Sequence, residues 1–334
     1  MPLDAITFDA NGAATPHGSV AMRLLQSGFN PLALRTLAVL RKEEWIQFDQ
    51  KLIEIARQRL RGVADLMGAG LTFPLSNGMG TTVVQWEQVS DMDPAIRSMD
   101  GLRRTQDDRV EFNLNSLPIY ITHKDFSLNL RHLEASRRLG ESIDTTQIAT
   151  ATRLVSDDLE NALFNGTGNY TVLSDTVHGY TTHPNRNTYE LTVDWDTATG
   201  EQMIADILAM INIAHSDNMF GPYWLYVPTS YGVQLDDDFK TNSDRTRRER
   251  LLAIDSISAI RTADFLAADN IMLVQPTSDV IDMVTGMQPT VVEWEEEGGF
   301  KLNFKVMAIM VPRIKNDYEG RSGLVHGSTA SGGG

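Results

Sequence analysis

The chain contains no cysteine. Disulfides, thiolate metal sites and cysteine nucleophiles are therefore excluded. No apolar run approaches the ~18–20 residues that a membrane-spanning helix needs. The N-terminal stretch MPLDAITFDANGAATPHG lacks the basic start and apolar core of a signal peptide. Positive charge is also short, with 29 Lys and Arg against 44 Asp and Glu, a formal net charge of −15. Such a chain repels polyanions overall, whereas holding nucleic acid through its phosphates requires clustered cations.

Catalytic signatures are absent too. The seven histidines are His17, His123, His132, His178, His183, His215 and His326, and none has H-E-x-x-H spacing. There is no G-x-S-x-G elbow. The stretch NGTGNYT (165–171) lacks the Lys-Ser/Thr of a phosphate loop and the spacing of a dinucleotide turn. His178 and His183, near Asp175, are the best metal candidate the histidines offer; as ordinary polar loop residues they need no ion. We expect no catalytic residue, no metal and no cofactor.

What remains is a 334-residue chain with 42% hydrophobic and 22% charged residues, the composition of a globular protein. Its pattern is α+β. Residues 1–30 follow no steady period and read as an N-terminal arm. From Pro31, Leu34, Leu37, Trp45, Phe48, Leu52, Ile55, Val63 and Met67 fall on one helical stripe, giving a helix region over 31–80. A second long helix is marked by Ile148, Ala151, Val155, Leu159 and Ala162, with Asp144 and Gln147 at its start and Asn165-Gly166 at its end. A third opens on Thr199…Gln202 and turns Ile204, Ile207, Leu208 and Ile211 to one face. YWLYVP (223–228) and IMLVQP (271–276) are short apolar runs of buried strands. They define a small α/β unit over 195–278. Around Gly298-Gly299 two strands form a hairpin. In it Phe300, Leu302, Phe304 and Val306 point one way, and Lys301 and Lys305 face the glutamates of the preceding strand. Strands near 116–126 and 290–311 are expected to share a sheet under the second helix, and SGLVHG to supply a last short strand. Residues 328–334 form a flexible tail.

One stretch cannot pack on its own core. Residues 85–112 (QWEQVSDMDPAIRSMDGLRRTQDDRVEF) carry seven acids and four arginines among 28 residues, between strand-like flanks. Two strands of about twelve residues reach about 40 Å, twice the ~20 Å radius of gyration of a compact chain of this length. An isolated hairpin is only marginally stable in water, so this one needs a surface to lie on. A neighbouring copy of the same protein is the natural supplier.

The order of these elements resembles the major capsid protein of tailed bacteriophages, whose Hong Kong 97-like capsid fold also builds encapsulin shells. The segment PIYITHKDFSLNLRHLEASRRLGESIDTTQIATATRLVSDDLENALFNG (118–166) is similar to the family's strand and spine helix. VVEWEEEGGFKLNFKVMAIMVPRIKND (291–317) is similar to its closing β-hairpin. The resemblance covers residues 31–327 and rests on order and spacing. It implies an extended loop at 81–115 that drapes over an adjacent subunit, and a peripheral domain at 116–194 and 279–327. It also implies an inserted axial domain at 195–278 that meets its copies at five-fold and six-fold axes. The inter-subunit contacts of the loop would come from Glu87, Asp91, Asp93, Arg97, Asp100, Arg103, Arg104, Asp107, Asp108 and Arg109. Those of the axial domain would come from Arg245, Arg247, Arg248 and Arg250.

The function so implied is that of a coat protein, not an enzyme. It self-assembles as hexamers and pentamers into an icosahedral shell around packaged double-stranded DNA, which it does not read. Portal, scaffolding and decoration proteins are the further partners, and no membrane is involved. The location is the virion capsid, assembled in the host bacterial cytoplasm. An encapsulin compartment is the alternative, from which the length of the N-terminal arm departs; a soluble α+β enzyme is a further one. Residues 85–115 contain no lysine, so the lysine cross-link that some members make through this loop is not expected. Only about 30 residues precede the first helix, which makes a separate scaffolding protein, or none, the simpler expectation.

Overall fold

The protein is described by a computed structural model covering residues 42–92, 95, 97, 99, 109–131, 133, 135, 145–172, 175–240, 244–296 and 300–329. The N-terminal arm, Asp144, the Gly298-Gly299 turn and the tail from residue 330 lie outside the described residues, as do Leu34 and Leu37. The chain forms two compact units. The first gathers residues up to Thr82, Ile119–Tyr170 and Asp282–Arg313. The second gathers Val83–Pro118, Thr171–Ile281 and residues from Ile314 onward.

In the first unit, α1 (Lys42–Arg59) and α2 (Gly62–Gly68) replace the single helix expected from the stripe. The stripe itself holds, since Phe48, Leu52 and Val63 are buried. The break after Leu60 arises because the N–H groups of Gly62 and Val63 are taken by the Glu160 carboxylate, at 2.6 and 3.3 Å, and start a new helix. Gly62 suits this approach. A Cβ there would lie 2.9 Å from Leu163 Cδ2.

The long helix α3 (Thr146–Asn165) spans about 30 Å and buries all five stripe residues named above. Its N-cap is Thr145, which makes no side-chain cap. Gly166 ends it at φ 71°, donating to the Ala162 carbonyl. The sheet below has the order β1 (Thr72–Pro74), β11 (Ile281–Glu296), β12 (Lys301–Ile314), β4 (Thr122–Asn129). β4 pairs antiparallel with β12 from Thr122↔Ala308 to Asn129↔Lys301, and Phe304 stacks on Phe126 and meets Phe48 of α1 edge-on. The expected sharing of one sheet is thus seen for β4 with β12.

Two details of that hairpin differ from the period-2 reading. Phe300 is 66% exposed, whereas Asn303 is buried. Both faces of β12 are covered here, because Met307 and Ile309 on the second face pack with Met287 and Val292, so alternation no longer marks inside from outside. Lys301 does reach Glu296 at 3.6 Å. Lys305 instead pairs with Asp125, its register partner on β4, with its ammonium 5.7 Å from the centre of the Trp294 ring.

The second unit is built on a five-stranded mixed sheet. Its order is β7 (Asn187–Glu190), β13 (Leu324–Ser328), β10 (Asn270–Val274), β8 (Tyr223–Pro228), β9 (Ile257–Ala263). The two apolar runs are its central strands, as expected. The last strand is real, but it pairs with β10 and β7. Residues 187–190 and 324–328 therefore extend the 195–278 sheet rather than the β4–β12 sheet. The helix α4 (Gly200–Ser216) carries the expected Thr199/Gln202 capping box. Its buried face runs through Met203, Ile207, Met210 and Ala214, while Leu208 is 49% exposed. The stripe is rotated because Asp206, fully buried, must meet the indole N–H of Trp195 at 3.0 Å and the hydroxyls of Thr192 and Tyr189.

Candidate assembly surfaces

The polar stretch of the sequence begins and ends in a two-stranded ladder. β2 (Val83–Val89) pairs antiparallel with β3 (Phe112–Pro118), from Val83↔Pro118 to Val89↔Phe112. The Ser90 N–H donates to the Glu111 carbonyl and the Glu111 N–H to Ser90 Oγ, which extends the ladder one pair further. One face holds Val84, Gln88 and Leu117, all buried. The opposite face presents Val89 (48% exposed), Phe112 (63%) and Leu114 (56%) with Glu87 across from Leu114. These three side chains form an apolar strip that the chain's own described residues leave exposed. The charge-rich sequence gave little warning of it, because these residues sit at the stem rather than in the charged middle.

The stem is tied down by contacts that sequence reading missed. Gln88 Nε2 donates to the Asn316 carbonyl at 2.8 Å. Tyr318 OH donates to Glu111 at 2.6 Å. Arg321 pairs with Asp91 at 3.4 Å. On the other strand, Asp175 accepts from the N–H and hydroxyl of Ser116. Among the expected contact residues, Glu87, Asp91, Arg97 and Arg109 are exposed. Asp91 is already paired within the chain. Asp93, Asp100, Arg103, Arg104, Asp107 and Asp108 lie outside the described residues.

The arginine cluster opens a short helix (Arg247–Leu252), where Thr246 caps the Glu249 N–H. Arg247 reaches Asp237 at 2.9 Å, and Arg248 reaches Asp236 at 2.6 Å and the Gly232 carbonyl. These two cations hold their own 232–238 segment. Arg245 and Arg250 are exposed, so the four do not act as one basic patch. On the β4–β12 sheet a cavity of about 400 Å³ is lined by Met79, Ile121, Val292, Met307, Trp294 and Lys305.

The enzyme candidates separate. Asp175 is occupied by Ser116. His178 Nε2 lies 3.2 Å from the Thr176 hydroxyl. The His178 and His183 rings meet edge-on at 5.9 Å between centres. Burial, with His178 and Arg186 nearby, pushes the His183 imidazole down to about 4. Among the described residues the acidic side chains that converge are Asp194, Asp196 and Asp269. There Tyr231 OH donates to Asp194 and Asp269, and burial raises the Asp196 carboxyl, helped by the other two charges. NGTGNYT ends α3 and enters β5 (Thr167–Val172), so it forms no phosphate loop.

A family model described as a family of unknown function (DUF6260) matches residues 33–327. The type 1 encapsulin shell protein EncA of Myxococcus xanthus is 25% identical over 286 residues, covering 83% of this chain and 91% of that protein. The virus-like particle of Pyrococcus furiosus superposes with a TM-score of 0.59 at 18% identity, covering 85% of this chain and 99% of its own. The capsid of Myoviridae phage XM1 gives 0.59 at 11% identity over 78% and 90% of the two chains. The capsid of a native GTA particle gives 0.57 at 11% identity over 81% and 91%. The fold is the Hong Kong 97-like capsid fold.

Proposed function

This chain belongs to the family of unknown function DUF6260, and from that premise we propose that it is the major capsid protein of a tailed bacteriophage. In this role copies of the chain assemble as hexamers and pentamers into a closed icosahedral shell around double-stranded DNA. The observation that carries the reading is the extent of the likeness: proteins described as capsids and shells match most of this chain and nearly all of their own. None of these three is described as an enzyme, and we assign this chain no catalysis. The exposed strip of Val89, Phe112 and Leu114 on an anchored hairpin supports assembly, because that strip gains from burial on a second copy. Residues 195–278 with strands β7 and β13 are the proposed axial domain, with the exposed Arg245 and Arg250 among its proposed contacts. The net charge of −15 suits a container whose contents are driven in by other proteins, through a portal, rather than drawn to its wall. The virion is the proposed location, after assembly in a bacterial cytoplasm. Among the described residues no helix is long and apolar enough to cross a membrane.

A second reading, an encapsulin-type compartment, is favoured by the higher identity to EncA and to the Pyrococcus particle. Negative-stain electron microscopy beside size-exclusion chromatography tests the shared claim. Closed shells or rings are expected. A monomer of 37.1 kDa at high concentration, without particles even when a scaffold or crowding agent is added, would overturn it. Particle contents then separate the readings, DNA for a phage and a cargo protein for a compartment.

A further inference from the structure

We infer that Glu160 is a proton-controlled latch that fastens the α1–α2 segment to the long helix α3 and loosens it as the solution rises from weakly acidic to neutral. The geometry is specific. Glu160 is 2% exposed, on the inner face of α3. Its Oε1 accepts the Gly62 N–H at 2.6 Å and its Oε2 the Val63 N–H at 3.3 Å. The two ends of this contact are 98 and 97 residues apart in sequence. One carboxyl thus supplies the partners that the first turn of α2 lacks.

The surroundings are poor solvent for a charge. Leu163 and Phe164 close on Gly62, within 2.9 and 3.2 Å of where a Cβ would stand. Thr152 and Ser156, two turns and one turn before Glu160 on the same helix face, are fully buried, and their hydroxyls find no hydrogen-bond partner. The charged groups at the junction are few. Asp65 on α2 repels the ionised carboxyl. Arg61 is exposed. Arg59 pairs with Asp157 at 3.6 Å. On the β4 side, Asp158 accepts from Thr122. Among the described residues, none of the influences on the carboxyl is a nearby cation. Burial is accordingly the largest influence on Glu160 and raises its carboxyl to about 7, against the lowering effect of the N–H donors of Gly62, Val63 and Arg61.

A carboxyl raised in the folded state contributes stability that is complete below its ordinary value and is lost as pH rises through the folded one. Ionisation near neutrality therefore weakens the attachment of α1–α2 without touching either sheet. The consequence is local opening, which costs less than global unfolding.

Hydrogen exchange with mass spectrometry on the full chain, from about pH 5.5 to about 8.5, reads this directly once intrinsic base catalysis is removed. Protection of residues 60–68 is expected to fall by up to about tenfold per pH unit from about pH 5.5 up to the carboxyl's own transition near 7 and to level off above it, and to stay flat throughout in Glu160→Gln, which mimics the protonated form. Constant protection in the wild type, or a fall that E160Q shares, overturns the latch. Should E160Q fail to fold, infrared difference spectra of the wild type decide. A protonated-carboxyl band present below neutrality and lost above it supports the latch, and absence of that band refutes it.

Discussion

Arg313 and Asp282 form the most deeply buried ion pair among the described residues, bidentate at 2.8 and 2.5 Å, with both side chains 6–7% exposed. The guanidinium also lies 4.3 Å from the centre of the Phe73 ring. Removing one partner leaves the other charged and dry. Arg313→Ala is expected to lower stability by about 3–5 kcal/mol, read from the urea midpoint of unassembled chain; a loss within about 1 kcal/mol would show that water reaches Asp282. The histidines act through a different balance. Burial, with Arg186 beside them, holds His183 and His326 down at about 4. The unfolded chain binds their protons first, so their contribution is present above about 6.5 and lost as pH falls toward 4. Thermal unfolding of the second unit should therefore shift to lower temperature across that window. The double variant His183→Gln, His326→Gln should show a shallower shift, and an unchanged slope would remove these two residues from the cause. This effect is opposite in sign to that of Glu160, whose contribution is lost as pH rises toward 7.

At the scale of the element, the hairpin stem has one buried face and one exposed face. Its inner residues Val84, Gln88 and Leu117 are buried and its Asp175 and Asn316 contacts hold it, while Val89, Phe112 and Leu114 face outward. Phe112→Asp with Leu114→Asp should leave the circular dichroism and melting of the unassembled chain within about 0.5 kcal/mol of wild type and abolish shells in the microscope. Shells of normal yield would show that the strip is not an assembly contact. The ladder was legible in the sequence from its apolar flanks. Its anchorage was not, because Gln88 and Asn316 lie 228 residues apart and neither belongs to a local motif. The helices tell the same story. The α3 stripe and the Thr199/Gln202 cap follow from neighbours within one turn and were read correctly. The α1–α2 break and the rotation of α4 were missed, since each is imposed by a buried carboxylate from elsewhere in the chain or on the helix itself.

At the scale of the whole molecule, the chain passes between its two units five times, at 82/83, 118/119, 170/171, 281/282 and 313/314. Neither unit is a continuous stretch of sequence. Residues 279–327, read from the sequence as one part of a peripheral domain, fall in both units, with Asp282–Arg313 in the first and the rest in the second. Covalent chemistry between copies is constrained by composition alone. With no lysine in 85–115, mature particles boiled in detergent should run as a single band at 37.1 kDa. A ladder of covalent multimers mapped to this loop would contradict that expectation.

The sequence by itself determined the α+β class, the two apolar strands at 223–228 and 271–276, the long helix with its glycine stop, the paired strands that flank the polar stretch and the absence of thiol chemistry. These depend on side-chain periodicity and on caps and turns, whose partners lie within about four residues. Only the tertiary structure decided where the last strand pairs, which arginines are spent on their own loop, that the hairpin stem is apolar on its outer face, and that Glu160, Asp206 and the Arg313–Asp282 pair are buried. Each of these depends on which distant segment comes to rest against a charged or apolar group. That is set by the packing within each unit, where desolvation gives a buried charge only the few partners that the fold brings to it.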